Sequence, residues 1–325
     1  MLEMKKNKIL ISNPWTPDRP VSKGATAYHN AVASTSWHKN NISMLIKIIK
    51  NKIKKNDIVV DYGAGTGSSA IYLLKKIELS KLLLIDNSSS WLGHAHMLLN
   101  SNKKVEFYIL DKVNNKYLFL NELIGENSVN HIICANTVHL IPNIPETFKG
   151  FYDSMKNSGT LVFQSGNITN KANGGALKID DSINQIHDLG LELIKTDDKF
   201  KKYKNNLGKR IKEQYPQRKL VFPDPRPIEY YLNSLKLAGF KNIKVTHKPI
   251  KVSYIDWLNF LNVKRLQAGI LPEIGGIDPS EQEEKDRSKI IETAAKKLFK
   301  KLQKENKYAN SKFFTAEWTY VYAEK

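Results

Sequence analysis

Gly63, Gly65 and Gly67 recur at every second position in the stretch VVDYGAGTG, and Asp61 stands two residues ahead of the first. Glycines let a polar ligand come close to the backbone N–H groups that open a following helix. Two ligand classes use that chemistry. A dinucleotide pyrophosphate favours Gly-x-Gly-x-x-Gly, whose third glycine lets the helix pack on its strand. Here that third position holds Ser68, and Gly67 comes one residue early. Asp61 would repel a pyrophosphate but would suit a ligand with a cationic end.

The turn needs a frame, and the flanking pattern supplies one. Strands are expected at DIVVD (57–61), KLLLID (81–86), VEFYIL (105–110), VNHIICA (129–135) and TLVFQS (160–165). Helical patterns lie between them at about 66–77, 89–100, 116–125 and 144–157. That alternation predicts βαβ units, a parallel sheet and right-handed crossovers. After Ser165 the rhythm breaks. Residues 167–226 are polar and lysine-rich and end near the proline cluster FPDPRP. IEYYLNSLKLAGF (228–240) reads as an amphipathic helix stopped at Gly239, and 241–252 as a strand. Residues 254–312 read mainly as helices, and KFFTAEWTYVYAEK closes the chain as an aromatic, β-branched strand. The two polar stretches are expected to form a cap together with an amino-terminal lid segment, residues 1–56, on a domain that spans 57–325.

Composition leaves several partner classes open. Of 325 residues 41% are hydrophobic, enough for a sizeable core, and a net charge of +19 admits nucleic acid, acidic lipid and anionic small substrates. The lysines are spread along the chain, so most are expected to solvate its surface. The one cysteine, Cys134, lies in an apolar run and argues against disulfides and cysteine-cluster metal sites. The basic start has too short an apolar run for a signal peptide, and no stretch approaches the roughly 18 apolar residues of a membrane span. A soluble, cytoplasmic chain is expected.

VVDYGAGTG resembles motif I of the class I S-adenosylmethionine-dependent methyltransferases. The likeness continues at Asp86, which ends the second strand, and at Asp111 in YILDK after the third. It extends to ICANTVHLIPN (133–143) after the fourth strand and to SGTLVFQSG (158–166) at the fifth. It implies an α/β fold, a seven-stranded doubly wound Rossmann-like sheet with a helical cap formed by the insertions. It implies S-adenosylmethionine as cofactor, bordered by Asp61, Gly63, Ala64, Gly65, Gly67, Asp86, Asn87, Asp111, Lys112 and Asn136. In the family the acid at the Asp86 position accepts hydrogen bonds from the ribose hydroxyls, and an acid at the Asp111 position lies near the adenine amino group. Asn130 stands where many members have Asp, and the insertions at 167–226 and 254–312 match no family pattern, so the substrate stays open.

Methyl transfer to a sulfonium-activated carbon demands positioning and desolvation more than a base. His139, just past the fourth strand, is the candidate base, against a purely structural role. Tyr28, a candidate catalytic residue, and Trp37, a candidate substrate contact, stand at near-helical spacing in residues 22–41. The resemblance implies an amino-terminal helix there that closes over the cofactor, with a tyrosine touching its carboxylate end or the substrate, against plain packing of both rings. Trp257, with Phe260, and the following Arg265 are candidate substrate contacts, against plain packing. His94 and His96 sit two apart on a helix and point to different faces, so no metal site is expected. The expected acceptor is a small molecule, anionic or partly apolar, at oxygen or nitrogen. The alternatives are an RNA methyltransferase using the basic segment 199–219, with Tyr203 and Tyr215 stacking bases, and a non-catalytic cofactor-binding protein. Against RNA, ANTVHL lacks the Asn/Asp-Pro-Pro-aromatic signature of enzymes that methylate base amino groups.

Overall fold

The computed structural model describes residues 14–169, 179–305 and 312–325. The amino-terminal thirteen residues, read above as a basic non-signal stretch, lie outside the described residues, as do short parts of both insertions. Seven strands form one sheet: β1 (Ile58–Tyr62), β2 (Lys81–Asp86), β3 (Val105–Ile109), β4 (Val129–Ala135), β5 (Met155–Ser165), β6 (Lys241–Ser253) and β7 (Phe313–Glu324). Their order is β6-β7-β5-β4-β1-β2-β3. The first five run parallel, and β7 pairs antiparallel with both β5 and β6. Strand order reverses between β1 and β4, and in open α/β sheets ligands bind outside the carboxyl ends of strands at such a reversal.

Each face of the sheet carries its own apolar core. One face, with Val60, Ile132, Leu161 and Phe163, packs under α6 (Ile144–Ser154) and α9 (Ile228–Ala238), which supply Phe148, Phe151, Tyr231 and Leu235. The other, with Val59, Leu84, Ile133 and Val162, packs under α2 (Ser36–Ile49), α3 (Ser68–Lys76) and α4 (Ser89–Leu99). The α9 helix stops at Gly239, whose φ of 105° is open to glycine at little cost. Asn130 earns its place at the foot of β4 by accepting from the Ile58 N–H at 3.0 Å, which ties β4 to β1.

The insertions pack on each other. From the first come α7 (Ile179–Thr196) and α8 (Leu207–Val221). From the second come α10 (Tyr254–Leu261), α11 (Lys264–Ile270) and α12 (Glu281–Glu305). α12 lies on α7, and α11 lies on α8. A buried His187–Glu273 contact at 3.0 Å links the two. The amino-terminal α1 (Lys23–Val32) touches both α4 and α10. Among the described residues no helix is long and apolar enough to cross a membrane.

Three local expectations change. The helix expected at 116–125 shrinks to α5 (Leu120–Ile124), because Lys112–Val113 and Lys116–Tyr117 form a hairpin. Asn114 and Asn115 take φ of 50° and 62° at its tip, the backbone a two-residue hairpin turn requires. Residues 22–41 are two helices, not one. The Thr35 hydroxyl and N–H both bond the Val32 carbonyl and end α1, the competition with helix that short polar side chains offer. The fifth strand starts at Met155 rather than Thr160, with its register to β4 shifting between Val129 and His131.

Candidate active site

The glycine turn sits at the strand-order reversal, and its geometry demands its sequence. Gly63, Gly65 and Gly67 have φ of 75°, 55° and 79°, a region L side chains rarely adopt. A Cβ on Gly63 would stand 2.2 Å from the Thr137 side chain. Thr137 in turn donates to the Gly63 carbonyl at 3.2 Å, so the segment after β4 is locked onto the turn. Asn136 beside it holds φ of 52° and donates its N–H to the Gln164 carbonyl at 2.9 Å. Gly67 caps α3, with Ala95 of α4 close where a Cβ would be.

Two carboxylates flank the turn. Asp86 at the end of β2 accepts from the Gly65 N–H and the Ser88 N–H, each at 2.8 Å. A carboxylate offers about four lone-pair sites, so Asp86 keeps capacity for further donors. Burial raises its pKa, opposed by those N–H groups and by the Arg265 guanidinium. Asp61 is 1% exposed, and neither of its oxygens has a hydrogen-bond partner. Burial first, and the Asp86 charge second, push its pKa up to about 7. A buried carboxylate without a donor is costly and fits a ligand that brings a cation to this place. The side-chain-free cradle and the orphaned acid together suit a ligand with hydroxyls at one end and an ammonium at the other.

The amino-terminal helices cover this turn. Tyr28 lies with its ring centre 4.3 Å from that of Trp91 and 6.1 Å from that of Phe260. Burial, then the Asp86 charge, push its hydroxyl up to about 12. His29 on the same helix lies 3.0 Å through Nδ1 from the Thr66 hydroxyl of the turn. Trp91 would stand 3.3 Å from a Cβ on Gly65, and the exposed Arg265 lays its guanidinium 5.1 Å from the Trp91 ring centre. Trp37 and Trp257 meet each other, 6.3 Å between centres, deeper under the cap.

Ala64 is buried within the turn, and Asn87 is exposed just beyond Asp86. Asp111 and Lys112 are exposed at the base of the hairpin, where the Lys112 ammonium lies 4.6 Å from the Tyr117 ring centre. His139 is buried, with Nδ1 3.0 Å from the Ser165 hydroxyl, which also accepts the Asn167 N–H. Burial, and then the positive charge of Arg226, lower its pKa to about 4. The basic segment forms α8 and its approach, and several of its lysines are paired: Lys202 with Asp286, Lys209 with Glu213 and Lys219 with Asp224. Trp91, Thr137, Gln164, Arg226 and Trp318 also border this region and were not singled out from sequence. Only Trp318, an interior aromatic of a terminal strand, carried a usable signal.

Over residues 53–217 the chain matches the family profile described as a methyltransferase domain. It is 27% identical over 230 residues to the carboxy-S-adenosyl-L-methionine synthase of Nautilia profundicola, covering 70% of this chain and 84% of that protein. Its fold is similar to phosphoethanolamine N-methyltransferase 2 of Haemonchus contortus, solved with S-adenosyl-L-methionine. The TM-score is 0.51 at 15% identity, over 93% of this chain and 56% of that one. The YcgJ protein of Bacillus subtilis gives 0.50 at 13% identity, over 89% and 99%. At those identities the structures speak to the fold alone, and the family profile carries the assignment. The chain belongs to the class I S-adenosylmethionine-dependent methyltransferases.

Proposed function

We propose that the chain methylates a small molecule at oxygen or nitrogen, beneath the cap. The observation that carries this reading is the lid: α1 spans α4 and α10 and lays Tyr28 on Trp91 and Phe260, directly over the glycine turn. A site roofed in this way suits an acceptor small enough to be enclosed. Bound S-adenosylmethionine supplies an activated sulfonium methyl group. The protein's part is to hold and dry the reactants. Asp61 holds the ammonium end, Asp86 the ribose hydroxyls, and Tyr28 with Trp37 excludes water. His139 orients the segment after β4 through Ser165.

S-adenosylmethionine and S-adenosylhomocysteine should bind in calorimetry and NAD should not. Asp86→Ala should weaken both adenosyl ligands about 10- to 150-fold, the loss of charge-assisted hydrogen bonds worth roughly 1.5–3 kcal/mol. NAD binding in place of the adenosyl ligands, or an unchanged affinity in the variant, would count against the assignment.

A second reading follows from the Nautilia relative, named as a carboxy-S-adenosyl-L-methionine synthase and similar over 70% of this chain. Here the cofactor itself would be the thing modified. Mass spectrometry after incubation with cell metabolites separates the two. Our reading requires S-adenosylhomocysteine and a methylated metabolite. A cofactor heavier than S-adenosylmethionine, with no S-adenosylhomocysteine, would favour the second.

A further inference from the structure

The lid and the cap meet in a cluster of rings that starts where the glycine turn ends. Tyr28 joins Trp91 to Phe260, and Phe260 stacks on Trp257 at 4.6 Å and 12°. Trp37 stands edge-on to both, at 6.3 Å with interplanar angles of 79° and 89°. Trp37 also stacks on Trp318 at 5.9 Å and 24°. Two near-parallel ring pairs thus meet at right angles. Trp318 enters from β7 against Gly166, where any Cβ would collide with it, so the cluster reaches the carboxyl end of β5.

The ring faces are satisfied by their neighbours, but the polar edges are not. The indole N–H groups of Trp37, Trp257 and Trp318 have no acceptor, although the three residues are 5%, 2% and 1% exposed. Trp91 Nε1, at the head of the cluster, and Asn41 Nδ2 on α2 are two further donors without a partner. Gln164 Oε1, on the strand that β7 flanks, and Asn167 Oδ1, just past Gly166, are unpaired acceptors. Buried tryptophans ordinarily find a partner for N–H, and three neighbouring failures in a core point to a ligand. On the tryptophan rings themselves every unpaired group is an N–H donor, so the complementary molecule carries acceptor oxygens. The flat walls ask for a flat body.

We propose that Trp37, Trp257, Phe260 and Trp318 form the acceptor pocket, and that it takes a planar conjugated molecule bearing hydrogen-bond-accepting oxygen rather than an alkylamine. This rests on the methyl-transfer reading above. Because the rings now touch, entry of a ligand parts α10 from α2, and the indole signals report that movement.

The test uses the full chain labelled with nitrogen-15, in which five tryptophans give five indole signals, assigned by Trp→Phe variants. S-adenosylhomocysteine is added first, and its failure to bind would overturn the methyltransferase reading itself. Three probes follow: coumarin, which has acceptor oxygens only; naphthalene, of similar shape with none; and tetramethylammonium. Coumarin should move the Trp37, Trp257 and Trp318 signals downfield and leave Trp15 unmoved. Trp257→Phe, which keeps an aromatic wall and loses the donor, should weaken coumarin roughly tenfold. With S-adenosylhomocysteine bound, three results would overturn the pocket: no movement of the three signals, naphthalene binding as tightly as coumarin, or tetramethylammonium binding more tightly than either.

Discussion

Asp61→Asn should weaken S-adenosylmethionine binding by roughly 150- to 5,000-fold while stabilising the ligand-free protein above pH 7. Both effects come from one buried carboxylate with no partner. Its pKa rises from 3.8 to about 7 in the folded chain. Between those values the folded state keeps a proton that the unfolded state has released, so stability falls as pH climbs from about 4 to about 7. Above that window the ligand-free protein bears the whole cost. This is up to about 4 kcal/mol, at about 1.4 kcal/mol for each pH unit between the two values. Asparagine removes the charge and with it the cost, so the variant's higher melting temperature should be full at pH 8 and vanish toward pH 4. Binding moves the other way. A ligand ammonium needs the carboxylate ionised, so wild-type affinity should fall by up to tenfold per pH unit below about 7, whereas the variant's should be flat. Truncating one side of a buried charge pair costs about 3–5 kcal/mol, which sets the affinity loss. Calorimetry and thermal melts from pH 5 to 8 check both arms. A variant that binds normally, or melts like wild type at pH 8, removes Asp61 from the site.

The sheet was legible because its signals are local. Five apolar strands alternate with helices, and β2 and β4 fall on their expected residues, Lys81–Asp86 and Val129–Ala135. The glycines at 63, 65 and 67 declare the turn because their φ values exclude most other residues. The Asn114–Asn115 hairpin was equally local, but a helical pattern overlapping it obscured a turn that asparagines make cheaply. The cap and its ring cluster were harder to read for a different reason. Trp37, Trp257 and Trp318 come from α2, α10 and β7, and nothing in the spacing within any one segment announces that they meet. Trp91 looked like one more position on α4 until Tyr28 and Arg265 arrived on it from opposite ends of the chain. Tertiary neighbours decide such sites, and periodicity does not carry them.

Tyr28→Ala should slow single-turnover methyl transfer about 10²-fold, and His139→Ala less than about tenfold. The two residues differ in what they can contribute. A useful general base has a pKa near the working pH, whereas His139 is lowered to about 4 by burial and by Arg226. Its Nδ1 is already engaged with Ser165, whose oxygen accepts the Asn167 N–H, so the ring reads as a brace. The rate should therefore show no break near pH 6.5, where an ordinary histidine titrates. Removing the ring leaves the buried Ser165 hydroxyl a partner short, at roughly 1–3 kcal/mol. That loss should appear in the melting temperature rather than in the rate. Tyr28 is placed otherwise. Its ring bridges Trp91 over the turn and Phe260 of the cap, so truncation opens the roof to water and loosens the in-line approach. Tyr28→Phe separates ring from hydroxyl. With its pKa pushed up to about 12, the hydroxyl stays protonated at neutral pH, so the phenylalanine variant should keep most of the rate. A nearly dead His139→Ala with a rate that rises through pH 6.5, beside a Tyr28→Ala of almost normal speed, would exchange the two roles.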